Sequence, residues 1–344
     1  MREDLQKKYD AFWENKAIDG PMLYLQVDNS PPVGDITPEQ KWTDIDYRMK
    51  RFEQSDIAYY GDAYPYVFAD FGPGSLAPCI GGNFIPAEYT IWFDQNPIIK
   101  DWDDINKLRF DKNSEMWNLM TEYCRRLCEK GSHKISIPDL GGTMDIIASL
   151  RGTDALLYDL YDNREEVLRC IEIVSDLWEH SYNLIADLLA KYQEGSATWW
   201  PIWSRGRSFT LQCDFCAMIS PDMYNDFIHP HIKRQTEFLD NSIFHLDGPG
   251  QISHLDMMLT LPKLDAIQWV PGDGSPSVFD PCWDDLYEKI QRADKGITFW
   301  CSSTELDEYE KWLRRFDTSK GIFIYCVCKE EKEAKEMIKI AKLS

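Results

Sequence analysis

Eight times along this chain a short apolar run is followed by an amphipathic stretch of helical period, and few architectures accommodate that rhythm. The runs are Met22–Val27, Tyr66–Asp70, Lys134–Asp139, Thr198–Ile202, Ser242–Asp247, Ala266–Val270, Ile297–Cys301 and Ile322–Cys326. Helical patterns follow near Pro38–Gln54, Ser114–Glu129, up to Tyr192, from Ser220-Pro221-Asp222, around His254-Leu255-Asp256, and near Trp283–Ala293, Glu305–Arg315 and Glu330–Lys342. Ser220 followed by Pro221 is good helix-start chemistry, an N-cap and then a proline at the first helical position. Strands alternating with helices predict a parallel α/β fold, and a count of eight favours a closed (β/α)8 TIM barrel. No linker, repeat or composition shift divides the chain, so residues 1–344 read as a single domain. Residues 1–20 read as an N-terminal helical extension. The Gly-, Pro- and Trp-rich stretch Phe71–Lys112 reads as an enlarged loop after the second strand.

Charge narrows the partners. The 344 residues carry a formal net charge of −21, which repels phosphate backbones and anionic membrane surfaces. The expected partner is a small molecule rather than nucleic acid or membrane. The opening residues contain no apolar segment of signal-peptide type, and no run approaches the ~18 apolar residues of a membrane span. With ten cysteines and no secretory signal, the expectation is reduced thiols and a cytoplasmic location. Aromatic residues reach 13 %, which suits a large core or an aromatic-lined pocket.

In a barrel of this kind, chemistry sits where strands run out at their C-terminal ends. Those ends carry Gln26 and Asp28, then Asp70, then Asp139, then the tryptophans Trp199, Trp200 and Trp203 with Arg205 and Arg207. Further on come His245 with Asp247, Gln268 with Trp269, Cys301, and Cys326 with Cys328. The candidate substrate-binding set is Gln26, Asp28, Asp139, Trp200, Trp203, Arg205, Arg207, Gln268 and Trp269. His245 and Asp247 lie two apart on one strand and point to the same side. They can hold a metal with thiolates from Cys301 or Cys328 completing the site. They can equally form an acid/base couple, or a structural histidine whose neighbour caps the next helix.

Asp70 stands alone among apolar residues, where burial makes a carboxyl a useful general acid. The alternative is a carboxylate that accepts backbone bonds from the glycine turn after it. Arg205 and Arg207 can clamp a substrate carboxylate or lie free on the surface. The tryptophans are core or pocket. Cys213 and Cys216 have C-x-x-C spacing but read as buried, inert thiols. No G-x-G-x-x-G element marks a dinucleotide site.

Three stretches together resemble the uroporphyrinogen decarboxylase superfamily: Ala148–Gly152 with Leu156–Asp162; Ile219–Tyr224 through Pro230 and Lys233; and Phe244-His245-Leu246-Asp247-Gly248. The superfamily comprises the decarboxylase and the corrinoid-dependent methyltransferases. On this resemblance Asp70 matches the decarboxylase's catalytic aspartate. The first strand, Pro21–Gln26, carries none of the arginines with which that enzyme grips porphyrinogen carboxylates. His245 matches the zinc-binding histidine of the methyltransferases, with Asp247 where they have cysteine and Cys326 or Cys328 near their last ligand. The resemblance therefore implies a diverged, metal-assisted methyltransferase in a corrinoid-linked pathway, with zinc as metal and the corrinoid supplied by a partner protein. The alternatives are a decarboxylase or lyase using Asp70 as general acid, and a non-catalytic tetrapyrrole- or corrinoid-binding partner.

Overall fold

The computed structural model describes residues 1–93 and 96–343. Thirteen strands are described: β1 (Met22–Asp28), β2 (Ile57–Gly61), β3 (Tyr66–Val67), β4 (Ile85–Pro86), β5 (Ile91–Trp92), β6 (Lys134–Ile135), β7 (Ser196–Ala197), β8 (Trp203–Ser204), β9 (Ser208–Leu211), β10 (Asn241–Asp247), β11 (Ala266–Val270), β12 (Gly296–Ser302) and β13 (Ile322–Cys328). Seven form one sheet in the order β2-β1-β13-β12-β11-β10-β9, parallel throughout except where β2 turns back against β1. β3 and β6 form a separate parallel pair. The expected α/β layout is present and compatible with a barrel-like fold. Among the described residues, though, hydrogen-bonded strands do not form one closed ring.

The short strands have a local cause. Side chains take over bonds that a longer ladder would make. The Gln193 amide pairs with both backbone groups of Ile135, at 2.8 and 2.9 Å. The Ser136 hydroxyl accepts the Ala69 N–H at 2.9 Å. On the open side, contact between β2 and β3 passes through the Tyr59 hydroxyl, which reaches the Tyr66 backbone. The helix expected over Pro38–Gln54 is split into α2 (Pro38–Thr43) and α3 (Ile45–Glu53), because Asp44 caps the second by accepting the Tyr47 N–H.

Strict alternation along the strands sorts side chains between two cores. One lies between sheet and helices and takes Leu23, Leu25 and Val27 of β1, Phe244 and Leu246 of β10, and Ile324 of β13. The other fills the floor inside the sheet with Met22, Tyr24, Ile243, Ala266 and Phe323. The N-terminal helix α1 (Glu3–Trp13) closes that floor by inserting Leu5, Tyr9 and Phe12. Its rim is tied down as well. The Trp13 indole donates to the Trp203 carbonyl at 2.8 Å, and Arg205 makes a two-pronged contact with Asp10.

The fourth strand departs from the sequence expectation. Thr198–Ile202 is not a sheet strand. Residues 196–197 pair instead with 203–204 in a small antiparallel hairpin. The strand that joins the sheet is β9, beginning just after Arg207. Arg205 and Arg207 therefore stand at a strand's entry, on the floor side, and are not at the mouth. Arg207 pairs with Asp240 and stacks over Phe238.

Phe12 is 2 % exposed, so Phe12→Ala opens a cavity in the floor. The expected loss is about 3–5 kcal/mol of unfolding free energy in urea titration. An unchanged midpoint would show that α1 is not part of the folded core.

Candidate functional site

The same alternation that places apolar residues on the floor places polar ones above it. Continuing inward-facing positions along each strand gives Gln26 and Asp28, Asp70, His245 and Asp247, Gln268 and Tyr325, and Asp139 joins them from the irregular segment after β6. Beyond β9 the pattern runs through Ser208, Thr210 and Gln212 to Asp214. One ligand atom each from Asp214, His245 and Asp247 lie within 4.8 Å of one another.

Each of the three is held. The Nδ1 of His245 meets the Gln268 amide oxygen at 2.7 Å, which fixes the ring and leaves Nε2 for the site. The two residues are register partners on adjacent strands. The Trp199 ring stands edge-on to the imidazole, 5.2 Å between centroids. Asp214 opens a short 3-10 turn, Asp214–Met218, whose first amides are capped by Asp145. That carboxylate accepts from Asp214 N at 3.1 Å and Phe215 N at 2.8 Å. Burial, and then the Asp214 charge, push the Asp145 carboxyl up to about 7. The approach requires Gly142. A β-carbon there would collide with the Gln212 carbonyl and the Asp145 carboxylate. The Gln251 side chain accepts the Asp247 N–H at 3.2 Å.

A second pair of carboxyls lies beside this cluster. Asp70 and Asp139 share a cavity of about 170 Å3 with Phe68, Tyr89 and Trp199, the tryptophan that abuts His245. Asp139 accepts the Gly141 N–H at 2.9 Å, and the Gln212 amide nitrogen lies 3.4 Å from each of its oxygens. Burial pushes Asp139 up to about 8, with the Asp70 charge adding to the effect. Burial also raises Asp70, against the Gly72 N–H on its carboxylate and the nearby Arg48. Asp70 thus accepts the glycine-turn bond, and its carboxyl, raised by burial, lines a cavity.

Several expected residues lie elsewhere. Gln26 donates to the Tyr325 hydroxyl at 2.9 Å, and Asp28 lines a larger cleft of about 940 Å3. Trp200 is buried beneath the site, its indole bonded to the Thr298 hydroxyl at 2.6 Å. Trp203 belongs to the floor and donates to the Glu194 carbonyl. Trp269 is one residue out of phase with Gln268, so it faces the helices and packs on Trp283. Cys301, Cys326 and Cys328 fall on the same outer side. The sulfurs of Cys326 and Cys328 lie 3.8 Å apart, and no thiol joins His245 among the described residues. Asp214, rather than Cys301 or Cys328, lies with His245 and Asp247. Cys213 and Cys216, on either side of it, are fully buried thiols as expected.

Neither a family model nor a curated protein matches the sequence. In structure the chain is similar to a methyltransferase from Methanosarcina mazei, with a TM-score of 0.64, 10 % identity and 98 % of each chain covered. That likeness establishes a shared fold.

A raised aspartate has a signed consequence. Between pH ~4, the ordinary range, and about 8, the native state keeps a proton on Asp139 that the unfolded chain has released. Stability therefore falls as pH rises through that window. Asp139→Asn is expected to flatten the fall, measured as urea unfolding free energies at several pH values. An identical slope in the variant would contradict the assignment.

Proposed function

We propose that this protein is a metal-assisted methyltransferase of a corrinoid-linked pathway, with zinc held by Asp214, His245 and Asp247 and the corrinoid carried in by a partner protein. The observation that carries the reading is the convergence of one imidazole and two carboxylates at the mouth, on a fold shared with a methyltransferase. The donor set fits zinc, which takes nitrogen and carboxylate oxygen ligands. The second-sphere partner fits too. Metal-binding histidines characteristically engage their other ring nitrogen, as His245 does with Gln268. Zinc bound there supplies a Lewis-acid centre, harder than one built with thiolates.

The remaining residues have roles the chain itself defines. Gln268 orients His245, and Asp145 orients Asp214 through the turn it caps. Trp199 covers one side of the imidazole. Asp139, neutral near physiological pH, holds a proton beside the site, and Asp70 shares its cavity.

The paired acids also support a second reading, a lyase with Asp70 as general acid. Arg205 and Arg207 play no part in it, since both are engaged at the floor. The two readings separate by mutation. In the lyase, Asp70→Asn abolishes turnover and His245→Ala only weakens it.

Elemental analysis tests the metal reading. About one zinc per chain is expected in the purified protein, lost in His245→Ala and Asp247→Ala and in Asp214→Ala. Gln268→Leu is expected to keep the site but weaken zinc affinity about 10–100-fold. Protein that takes up no zinc on reconstitution would sink this function and leave the acid-catalysed one.

A further inference from the structure

The two carboxylates of the cluster come from different elements, Asp214 from the turn after β9 and Asp247 from the end of β10. Ligand atoms of the two lie within 4.8 Å of each other, and carboxylates that close repel when no cation sits between them. In the metal-free chain the two elements must therefore be held together. Gln268 and Asp145 do not do this, since each orients one ligand and neither joins the pair.

The turn that follows β10 supplies the link. Pro249–His254 is a 3-10 turn, as Asp214–Met218 is. Residues three apart on such a turn lie one above the other. Gln251 and His254 are three apart, and so are Cys213 and Cys216. The two pairs meet. The Gln251 amide nitrogen donates to the Cys213 carbonyl at 3.3 Å. His254 Nε2 lies 2.9 Å from the Cys216 carbonyl, which can only accept, so this nitrogen carries the ring proton. A β-carbon at Gly250 would stand 3.3 Å from that of Ala217, so glycine there lets the turns close on each other. The other end of the Gln251 amide reaches back to its own strand and accepts the Asp247 N–H at 3.2 Å. One side chain thus grips the backbone beside Asp214 and the backbone of Asp247 at once. The Cys213–Asp214 peptide is held on both sides, its N–H on Asp145 and its carbonyl on Gln251. Gln251 and His254 are both buried, which keeps water from competing for these bonds, and the His254 ring is stacked on Tyr224.

We propose that Gln251 and His254 are positioning residues that brace Asp214 against Asp247, holding the two carboxylates at metal-binding separation in the metal-free protein. Zinc then meets a site already formed, and little ordering cost falls on its binding. The use of the brace rests on the metal reading; the brace itself is a property of the two turns it joins. Neither residue is one of the three ligands.

Two variants of the full chain cut the brace while keeping its bulk. Gln251→Met removes both bonds of the amide, and His254→Phe keeps a ring over Tyr224 but loses the donor. The first readout is amide hydrogen exchange in the metal-free protein, followed by NMR. The Asp214 and Phe215 amides bond to Asp145 and to neither substituted side chain. Both are expected to exchange at least about tenfold faster in Gln251→Met, with His254→Phe acting in the same direction, while the amide of Ile324 in β13 exchanges as in wild type. The second readout is zinc affinity, measured by competition with a chromophoric chelator. It is expected to fall about 10–100-fold in Gln251→Met. Unchanged exchange at Asp214 and Phe215 in both variants would overturn the brace. An equal rise at Ile324 would overturn it too, because general loosening would then explain the effect. A wild-type chain that takes up no zinc, with Asp214 and Phe215 responding as expected, would remove the metal and keep the brace. A wild-type chain that binds zinc, with variants that exchange and bind as it does, would keep the metal and remove the brace.

Discussion

The two-residue period of the strands is the constraint on which the rest of this molecule depends. In a sheet with helices on one face and an enclosed floor on the other, a side chain's parity decides its fate. Phe323 and Tyr325 turn inward along β13, while Ile324, Cys326 and Cys328 turn toward the helices. The same rule brings His245 and Asp247 to one point and sends Leu246 between them to the outer core. A shift of one residue in β10 would bury the imidazole among aliphatic side chains and leave the mouth apolar.

The site is assembled by neighbours that do no chemistry themselves. His245 is oriented by Gln268, its partner in register on the next strand. Asp214 is oriented by a turn whose first amides are bonded to Asp145, and Asp145 can approach only because residue 142 is glycine. Burial pushes both acids beside it upward, Asp139 to about 8, and Trp199 borders both their cavity and the imidazole. Pre-organisation of this kind puts the polar groups in place before a ligand arrives, so less ordering cost falls on binding.

Much of this was legible in the residue pattern. The strands around Met22, Asn241, Ala266, Gly296 and Ile322 were read within a few residues, because each is a β-rich apolar run bounded by turn residues. The ends of β10 and of the runs after Tyr66 and Lys134 supply His245, Asp247, Asp70 and Asp139. Gln268 was read as a substrate contact and proved to orient the histidine. The departures have two causes. The Trp-rich run at 198–202 looks like a strand by composition, yet it belongs to the loop of a hairpin, and the sheet continues at Ser208. Misplacing that strand put Arg205 and Arg207 at the mouth and hid Asp214, which follows from the parity of 208, 210 and 212. Trp269, Cys301 and Cys328 failed through parity alone.

In the proposed site, zinc at the mouth is held by nitrogen and oxygen alone. X-ray absorption spectroscopy of the zinc-loaded protein reads those ligands. A first coordination shell of light scatterers near 2.0–2.1 Å and no sulfur is expected. A sulfur shell near 2.3 Å would place zinc on cysteines and contradict the Asp214–His245–Asp247 site.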